Sequence, residues 1–178
     1  QAKKAVLDLN PRYTRLFQII GDFADWEHRY DEIVKMMQEA VRIDRQDAKA
    51  HAQLGLNLIR AGRDDEALKS LKMAFDKDPF NVRVYNTLNL YEKDIPQSYV
   101  TVKHKLFTFR YHKDEKAILE RYVPGMLENA WKKFVKGYGF TPSTPVGVEL
   151  YAERQNFAIR TSGLPTTAIQ GVCFGKTL

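Results

Sequence analysis

The chain has 178 residues, of which 44% are hydrophobic, and it carries a formal net charge of +6 at pH 7. This composition suffices for one or two domains with hydrophobic cores, and no apolar run is long enough to span a membrane. The single cysteine, Cys173, excludes an internal disulfide framework and a zinc site built from several cysteines. We therefore expect a soluble chain.

The positive charge is concentrated in the second part of the chain. Residues 1–100 carry 16 Lys and Arg against 16 Asp and Glu, whereas residues 101–178 carry 12 against 6. The hydrophobic pattern changes in the same region, from helical spacing to alternation. We predict a domain boundary near Pro96, with domains at 1–96 and 97–178.

The first ten residues read as the tail of a helix, with Ala5, Val6 and Leu9 on one face. The chain does not begin with Met, and we expect it to be a fragment of a longer protein. Residues 13–26 and Tyr30–Ile43 then have the spacing of a first complete helix pair.

Residues 48–81 contain two amphipathic helical stripes. Gly62 lies between them and is expected to leave the first helix through a left-handed backbone, and Asp64 is expected to cap the next helix. Pro79 ends the second helix. Gly55 and Ala67 are small enough to let the two helices approach closely. The apolar positions of the two stripes are Leu54, Leu58, Ile59, Ala67, Leu68, Leu71, Ala74 and Phe75.

The helix pair recurs with a period of about 34 residues. Pro79, Arg45 and Pro11 follow one another at this period, and Gly55 aligns with Gly21 at the same spacing. In this pattern the chain resembles the tetratricopeptide repeat. The resemblance covers two full repeats, 48–81 and 14–47, and a first helix at 82–94. In 14–47, Ile33 replaces a small alanine and Arg45 replaces the proline. It implies a helix-turn-helix solenoid that serves as a protein–protein interaction scaffold.

Residues 82–94 predict a helix that covers the apolar end of the preceding repeat and stops at Pro96. Its expected inward residues are Val84, Tyr85, Leu88 and Tyr91.

Beyond Pro96 we predict a β-α-β-β-β unit, which makes the chain α+β overall. Residues 99–111 alternate, with a change of phase at Leu106 that predicts a bulge or two short strands. Further strands are predicted at 146–151, 156–161 and 171–175. Residues 115–138 predict a helix that contains Pro124. Its expected apolar stripe is Leu119, Tyr122, Met126, Ala130, Trp131, Phe134 and Tyr138.

Residues 146–151, 157–165 and 171–175, together with the helix before them, resemble the opening of a bacterial peptidase MA-like (gluzincin) domain. Such domains often follow tetratricopeptide repeats. The resemblance spans about residues 100–178 and implies a bacterial source. It also implies the lobe that leads up to a zinc site, with a substrate-lining strand near 171–175.

In that family a helix with His-Glu-x-x-His binds zinc, and its glutamate activates water. This chain has no such motif and no other complete catalytic motif. We therefore expect no catalytic residue, metal site or cofactor in it, although the resemblance implies zinc in a longer parent protein. The four histidines, none at the required spacing, are His28, His51, His104 and His112.

Other candidate sites have simpler explanations. His51 occupies a position where these repeats place a large aromatic side chain, which indicates packing. Cys173 lies among apolar residues and is expected to be buried. The basic residues Lys132, Lys133 and Lys136 have the spacing of a solvated helix face, so nucleic-acid binding is the weaker interpretation.

The first helices of the repeats offer a candidate groove. Some tetratricopeptide repeats bind the terminal carboxylate of a peptide through basic and amide side chains at set positions. At those positions this chain has mainly uncharged or acidic residues, so we reject a peptide C-terminus as the ligand. An apolar part flanked by Lys49 and Arg83 suits an amphipathic helix or an extended segment. The alternative is that the second domain or a neighbouring repeat covers it. The predicted groove residues are Arg15, Gln18, Asp22, Lys49, Leu56, Ile59, Arg83, Asn86 and Leu90.

Two hypotheses follow. The chain is a scaffold that binds a peptide or positions an adjoining domain, or it is the non-catalytic front part of a zinc metallopeptidase.

Overall fold

A computed structural model describes residues 2–166, 168–175 and 177–178. The chain forms two compact units, Gln1–Leu88 and Asn89–Leu178. The division falls eight residues before the predicted boundary at Pro96, because residues 89–98 pack against strands and helices of the second unit. No helix in the described part of the chain is long and apolar enough to cross a membrane.

The first unit is built from helices that pack as consecutive antiparallel pairs, with α2 against α3 and α4 against α5. The predicted helix at the start of the chain is α1, in which Val6 and Leu7 are half-buried whereas Ala5 and Leu9 are exposed. The helices are α1 (Ala2–Leu9), α2 (Arg15–Trp26), α3 (Tyr30–Ile43), α4 (Ala48–Arg60), α5 (Asp64–Lys77) and α6 (Val82–Asn89).

Two glycines determine how α4 and α5 meet. Gly62 has φ = 72°, the left-handed conformation predicted for it. A Cβ at Gly55 would lie 2.5 Å from Leu71 Cγ, so only glycine permits this approach. Asp64 is the first residue of α5 and Arg63 is its N-cap, so the predicted capping role of Asp64 was wrong.

The helix 82–94 differs from the prediction in two ways. Tyr85 is half exposed, although its ring lies 6.0 Å from that of Phe75. The helical path continues through a wide π-helical turn, Leu90–Asp94, into α7 (Ile95–Ser98), so Pro96 does not stop it. Pro96 lies in the first turn of α7, directly after the wide turn Leu90–Asp94.

The second unit contains a three-stranded sheet of order β1-β2-β3. Strands β1 (Tyr99–Lys103) and β2 (Phe107–His112) form an antiparallel hairpin, so of the two alternatives at Leu106 the structure has two short strands and not a bulge. β3 (Val146–Glu149) is parallel to β2. α8 (Lys116–Tyr138) connects β2 to β3.

The sheet turns its apolar face toward α8. The core consists of Phe107, Phe109, Tyr111 and Val148, and Leu119, Val123, Leu127 and Trp131 of α8 pack against it. Part of the predicted stripe of α8 was therefore wrong. Tyr122, Met126, Phe134 and Tyr138 are 54–79% exposed, because the i, i+4 row through Val123 and Leu127 faces the sheet instead.

The predicted strand at 156–161 was wrong, because Arg154–Ser162 forms helix α9. The hydroxyls of Thr161 and Ser162 donate to the carbonyls of Phe157 and Ala158 at 2.8 and 3.0 Å, as serine and threonine do inside helices. Residues 171–175 form only an isolated bridge, Phe174 to Thr177, and not the predicted strand.

Candidate peptide-binding surface

We call the exposed sides of α2, α4 and α6 the first-helix surface, since each is the first helix of its repeat. α2 and α4 are joined there by polar contacts. Gln18 Nε2 donates to Asp47 Oδ2 at 3.1 Å, and Gln53 Nε2 donates to Asp22 Oδ1 at 3.3 Å. Arg60 Nη1 lies 2.7 Å from Asp25 Oδ1.

Asp47 has two structural roles at this junction. It is the N-cap of α4, where its Oδ1 accepts a hydrogen bond from the amide of Ala50 at 2.9 Å. Its Oδ2 accepts the hydrogen bond from Gln18. The Asp47 carboxylate thus fixes the start of α4 relative to α2.

Burial divides the predicted groove residues into two groups. Gln18 and Ile59 are 5% and 2% exposed, so their side chains offer little surface to a ligand. Leu90 is fully buried and belongs to the second unit, so it does not extend the first-helix surface. The remaining residues are exposed or half-buried, and they are Arg15, Asp22, Lys49, Leu56, Arg83 and Asn86.

A basic residue recurs at one position of every first helix. Arg15, Lys49 and Arg83 are separated by the repeat period, each lies in the first turn of its helix, and each is exposed. We call these residues the cation row. The first turns of α2, α4 and α6 contain no acidic residue, whereas those of α3 and α5 do.

α2 also carries exposed apolar residues away from the core. Ile19, Phe23 and Trp26 are 41%, 71% and 87% exposed. The same positions of α4 hold Gln53, Asn57 and Arg60, and two of these are the residues that contact α2. The apolar residues therefore occupy the side of α2 on which a preceding first helix would stack.

The histidines are held by local partners. His51 is buried, and its Nε2 lies 3.2 Å from the carbonyl oxygen of Arg45, which agrees with the predicted packing role. His104 Nε2 lies 3.2 Å from Glu128 Oε1 and His112 Nδ1 lies 3.8 Å from Asp114 Oδ2. Across residues 2–166, 168–175 and 177–178, no three His, Cys, Asp or Glu side chains converge on a metal position.

The second unit contains a buried cluster of charges that was not predicted. Arg110 and Glu149 are paired in register on β2 and β3, with Arg110 Nη1 3.1 Å from Glu149 Oε1. Arg160 of α9 donates from Nε to Glu149 Oε2 at 2.7 Å, and the Tyr151 hydroxyl donates to the same oxygen at 3.0 Å. The Arg110 guanidinium also lies 5.5 Å from the ring centre of Tyr91.

Opposing effects set the ionisation of this cluster. Burial favours the protonated form of Glu149, but the charges of Arg160 and Arg110 outweigh it and hold the pKa of Glu149 below its ordinary value. Burial, together with the Glu149 charge, raises the pKa of Tyr151 well above its usual range. The cluster is therefore an ionised carboxylate between two arginines beside a neutral tyrosine.

Cys173 is exposed, so its predicted burial was wrong. It borders an open cavity of about 860 Å³ in the second unit, lined by one face of α8, by residues 148–152 and by residues 169–173. The lining is mostly apolar and includes Met126, Leu127 and Phe157. The segment 171–175 thus contributes to a concave surface, although it is not a strand.

Comparison with known proteins identifies one repeat region of the chain. Residues 27–90 match the tetratricopeptide repeat model. One solved structure with a related shape is a mutant O-GlcNAc transferase of Thermobaculum terrenum, at 23% identity and a TM-score of 0.43. That match covers 48% of this chain and 16% of the other, and so low a likeness carries no argument about activity. No curated protein matches the chain significantly. Nothing found supports the peptidase MA-like resemblance.

Proposed function

We propose that the tetratricopeptide region binds a peptide segment of a partner protein on the first-helix surface. Tetratricopeptide regions generally mediate protein–protein interaction, and residues 27–90 are such a region. The observation that carries the proposal is the set of side chains that α2, α4 and α6 leave outside the core. The half-buried Leu56 and the exposed Arg15, Lys49 and Arg83 are among these side chains, and an apolar residue among charged ones is the composition of a surface that anchors one apolar side chain of a ligand.

A selection of random peptides displayed on phage against the immobilised full chain tests this function. The affinity of enriched peptides is then measured for the unchanged chain, for Leu56→Ala and for Lys35→Gln, a control on the exposed side of α3. We expect Leu56→Ala to weaken binding by about tenfold, since it removes an apolar anchor, and the control to have no effect.

Two results would overturn the proposal. One is a selection that enriches no peptide with measurable affinity for the purified chain. The other is a set of peptides whose affinity is the same for Leu56→Ala as for the unchanged chain, with thermal unfolding showing that the variant is folded.

The peptidase hypothesis rests on the resemblance of residues 100–178 alone. In this hypothesis a longer parent protein is a zinc metallopeptidase and the present chain is its non-catalytic front part. The described residues do not fit a zinc site, because no three possible ligands converge, so we derive no catalytic step from them. Zinc content and peptidase activity, measured on a parent chain extended past Leu178 and on the present chain, test the hypothesis. Absence of both from the extended chain would contradict it.

A further inference from the structure

We propose that the partner segment is acidic and that the cation row, Arg15, Lys49 and Arg83, recognises its carboxylates. This inference rests on the peptide-binding function proposed above and names the chemistry of the ligand. The three basic residues are exposed at equivalent positions of three successive first helices. A segment that runs across the first helices therefore meets one positive charge at each helix.

Helix stability does not account for the cation row. The N-terminal turn of a helix carries the positive end of its dipole, so acidic residues stabilise it and basic residues do not. The second helices follow this rule, with Asp31 and Glu32 in the first turn of α3 and an acidic run from Asp64 to Glu66 in that of α5. The first turns of α2, α4 and α6 hold a basic residue and no acidic one, although Asp47 caps α4 from the preceding position. An external anion would offset the cost of these basic residues.

The overall charge of the first part of the chain does not account for the cation row either. Residues 1–100 carry equal numbers of basic and acidic residues, so the row is not part of a general positive excess. The acidic residues of α2, Asp22 and Asp25, contact Gln53 and Arg60 of α4. Asp47, beside Lys49, is engaged by the Ala50 amide and by Gln18. These carboxylates have partners within the unit.

The spacing of the helices indicates the spacing of the ligand's acids. First helices that pack side by side would lie about 8–10 Å apart, the general distance between the axes of packed helices, and an extended chain advances about 3.1–3.3 Å per residue. Carboxylates three residues apart in an extended segment would therefore meet successive members of the cation row. The same surface offers Leu56, half-buried on α4, to an apolar residue of the segment.

Fluorescence anisotropy with labelled peptides on the full chain tests the inference. The probe is a peptide of about 12 residues built from Glu-Pro-Ser, which favours an extended conformation, and the matched peptide has Gln in place of Glu. The test variant carries Arg15→Gln, Lys49→Gln and Arg83→Gln. The control variant carries Lys35→Gln, Lys69→Gln and Lys77→Gln on the second helices, which gives the same net charge.

We expect the Glu peptide to bind and the Gln peptide to bind at least about tenfold more weakly, since each exposed charge pair contributes about two- to fivefold. The cation-row variant should lose a similar factor, whereas the control variant should bind the Glu peptide as the unchanged chain does. Higher salt should weaken binding to the unchanged chain more than binding to the cation-row variant.

The inference is overturned if the two peptides bind equally, if neither binds, or if both triple variants lose affinity equally. The last result would mean general electrostatic attraction without a defined site. Failure of the inference about an acidic segment can be distinguished from failure of the proposed peptide-binding function. Display-selected peptides that depend on Leu56 but not on the cation row would leave peptide binding intact and remove only the acidic partner.

Discussion

Arg160 and Glu149 form an ion pair in the interior of the second unit, with 2.7 Å between Nε and Oε2 and side-chain exposures of 3% and 12%. The pair joins α9 to the edge strand β3, and Arg110 of β2 completes it from the other side. The chain thus ties two strands and a helix together through one carboxylate.

Removal of that carboxylate charge should destabilise the second unit. Glu149→Gln leaves two buried arginines without their counter-charge, and breaking a buried pair in this way costs about 3–5 kcal/mol of unfolding free energy. Urea unfolding, followed by the fluorescence of Trp131 in a Trp26→Phe background, measures the loss. Glu120→Gln, which breaks the exposed pair with Lys116 in α8 of the same unit, is the control and should cost less than about 1 kcal/mol. Equal losses would show that the buried pair contributes no more than a surface pair.

The same carboxylate should make stability depend on pH in the acid range. The pKa of Glu149 is lowered in the folded chain, so its contribution is present above the unfolded value of about 4.3 and is lost as pH falls through the folded pKa. The unfolding free energy should therefore fall more between about pH 5.5 and pH 3.5 in the unchanged chain than in Glu149→Gln. A parallel decline in both proteins would assign the acid sensitivity to other carboxylates.

Two equivalent glycines should respond differently to alanine. At Gly55 the new methyl group would lie 2.5 Å from Leu71 Cγ and 3.1 Å from the Ala67 carbonyl oxygen, and we expect a loss of about 1–3 kcal/mol. At Gly21 the nearest atom is Met37 Cε at 3.0 Å, the end of a flexible side chain. Gly21→Ala should be neutral or stabilise by up to about 1 kcal/mol, because alanine favours helix. Thermal unfolding of both variants measures the difference, and similar losses would contradict it.

The turns between paired helices provide another matched comparison. Gly62 has φ = 72°, and His28, at the equivalent position of the preceding repeat, has φ = 57°. Gly62→Ala should cost about 1 kcal/mol, since alanine is strained in this conformation. His28→Gly relieves such strain but loses the contact of Nδ1 with the Tyr30 hydroxyl at 3.0 Å and makes the unfolded chain more flexible. Its unfolding free energy should therefore change by less than about 0.5 kcal/mol. A loss at His28 as large as that at Gly62 would show that the conformation is not strained.

The helices of the first unit could be predicted because their determinants are local. Tyr30–Ile43 was predicted at its observed bounds, and the repeat period placed Gly62 at its turn. The exposure of individual side chains along the first helices was predicted less accurately. Ile59 was placed in the groove because of its position in the repeat, but burial depends on the helices packed around it.

The second unit shows the limits of local patterns. Phe157, Ile159 and Thr161 alternate as a strand does, yet the segment is helical. A helix stop signal was present, since Gly163 ends α9 at φ = 75° and Pro165 follows. The pairing of Arg110 with Glu149 had no comparable signal. It depends on the register of two strands separated by α8, which no local pattern specifies.

The exposed Ile19, Phe23 and Trp26 of α2 have a consequence for the order of the repeats. α4 meets α2 through polar side chains at these positions, so the junction between the two repeats accepts partners with hydrogen-bonding groups. α2 would require an apolar neighbour on its other side. Exchanging the segments 14–47 and 48–81 would therefore oppose unlike chemistries at the new junctions. The two repeats have the same backbone fold but are not interchangeable, because their side chains determine the order in which they can stack.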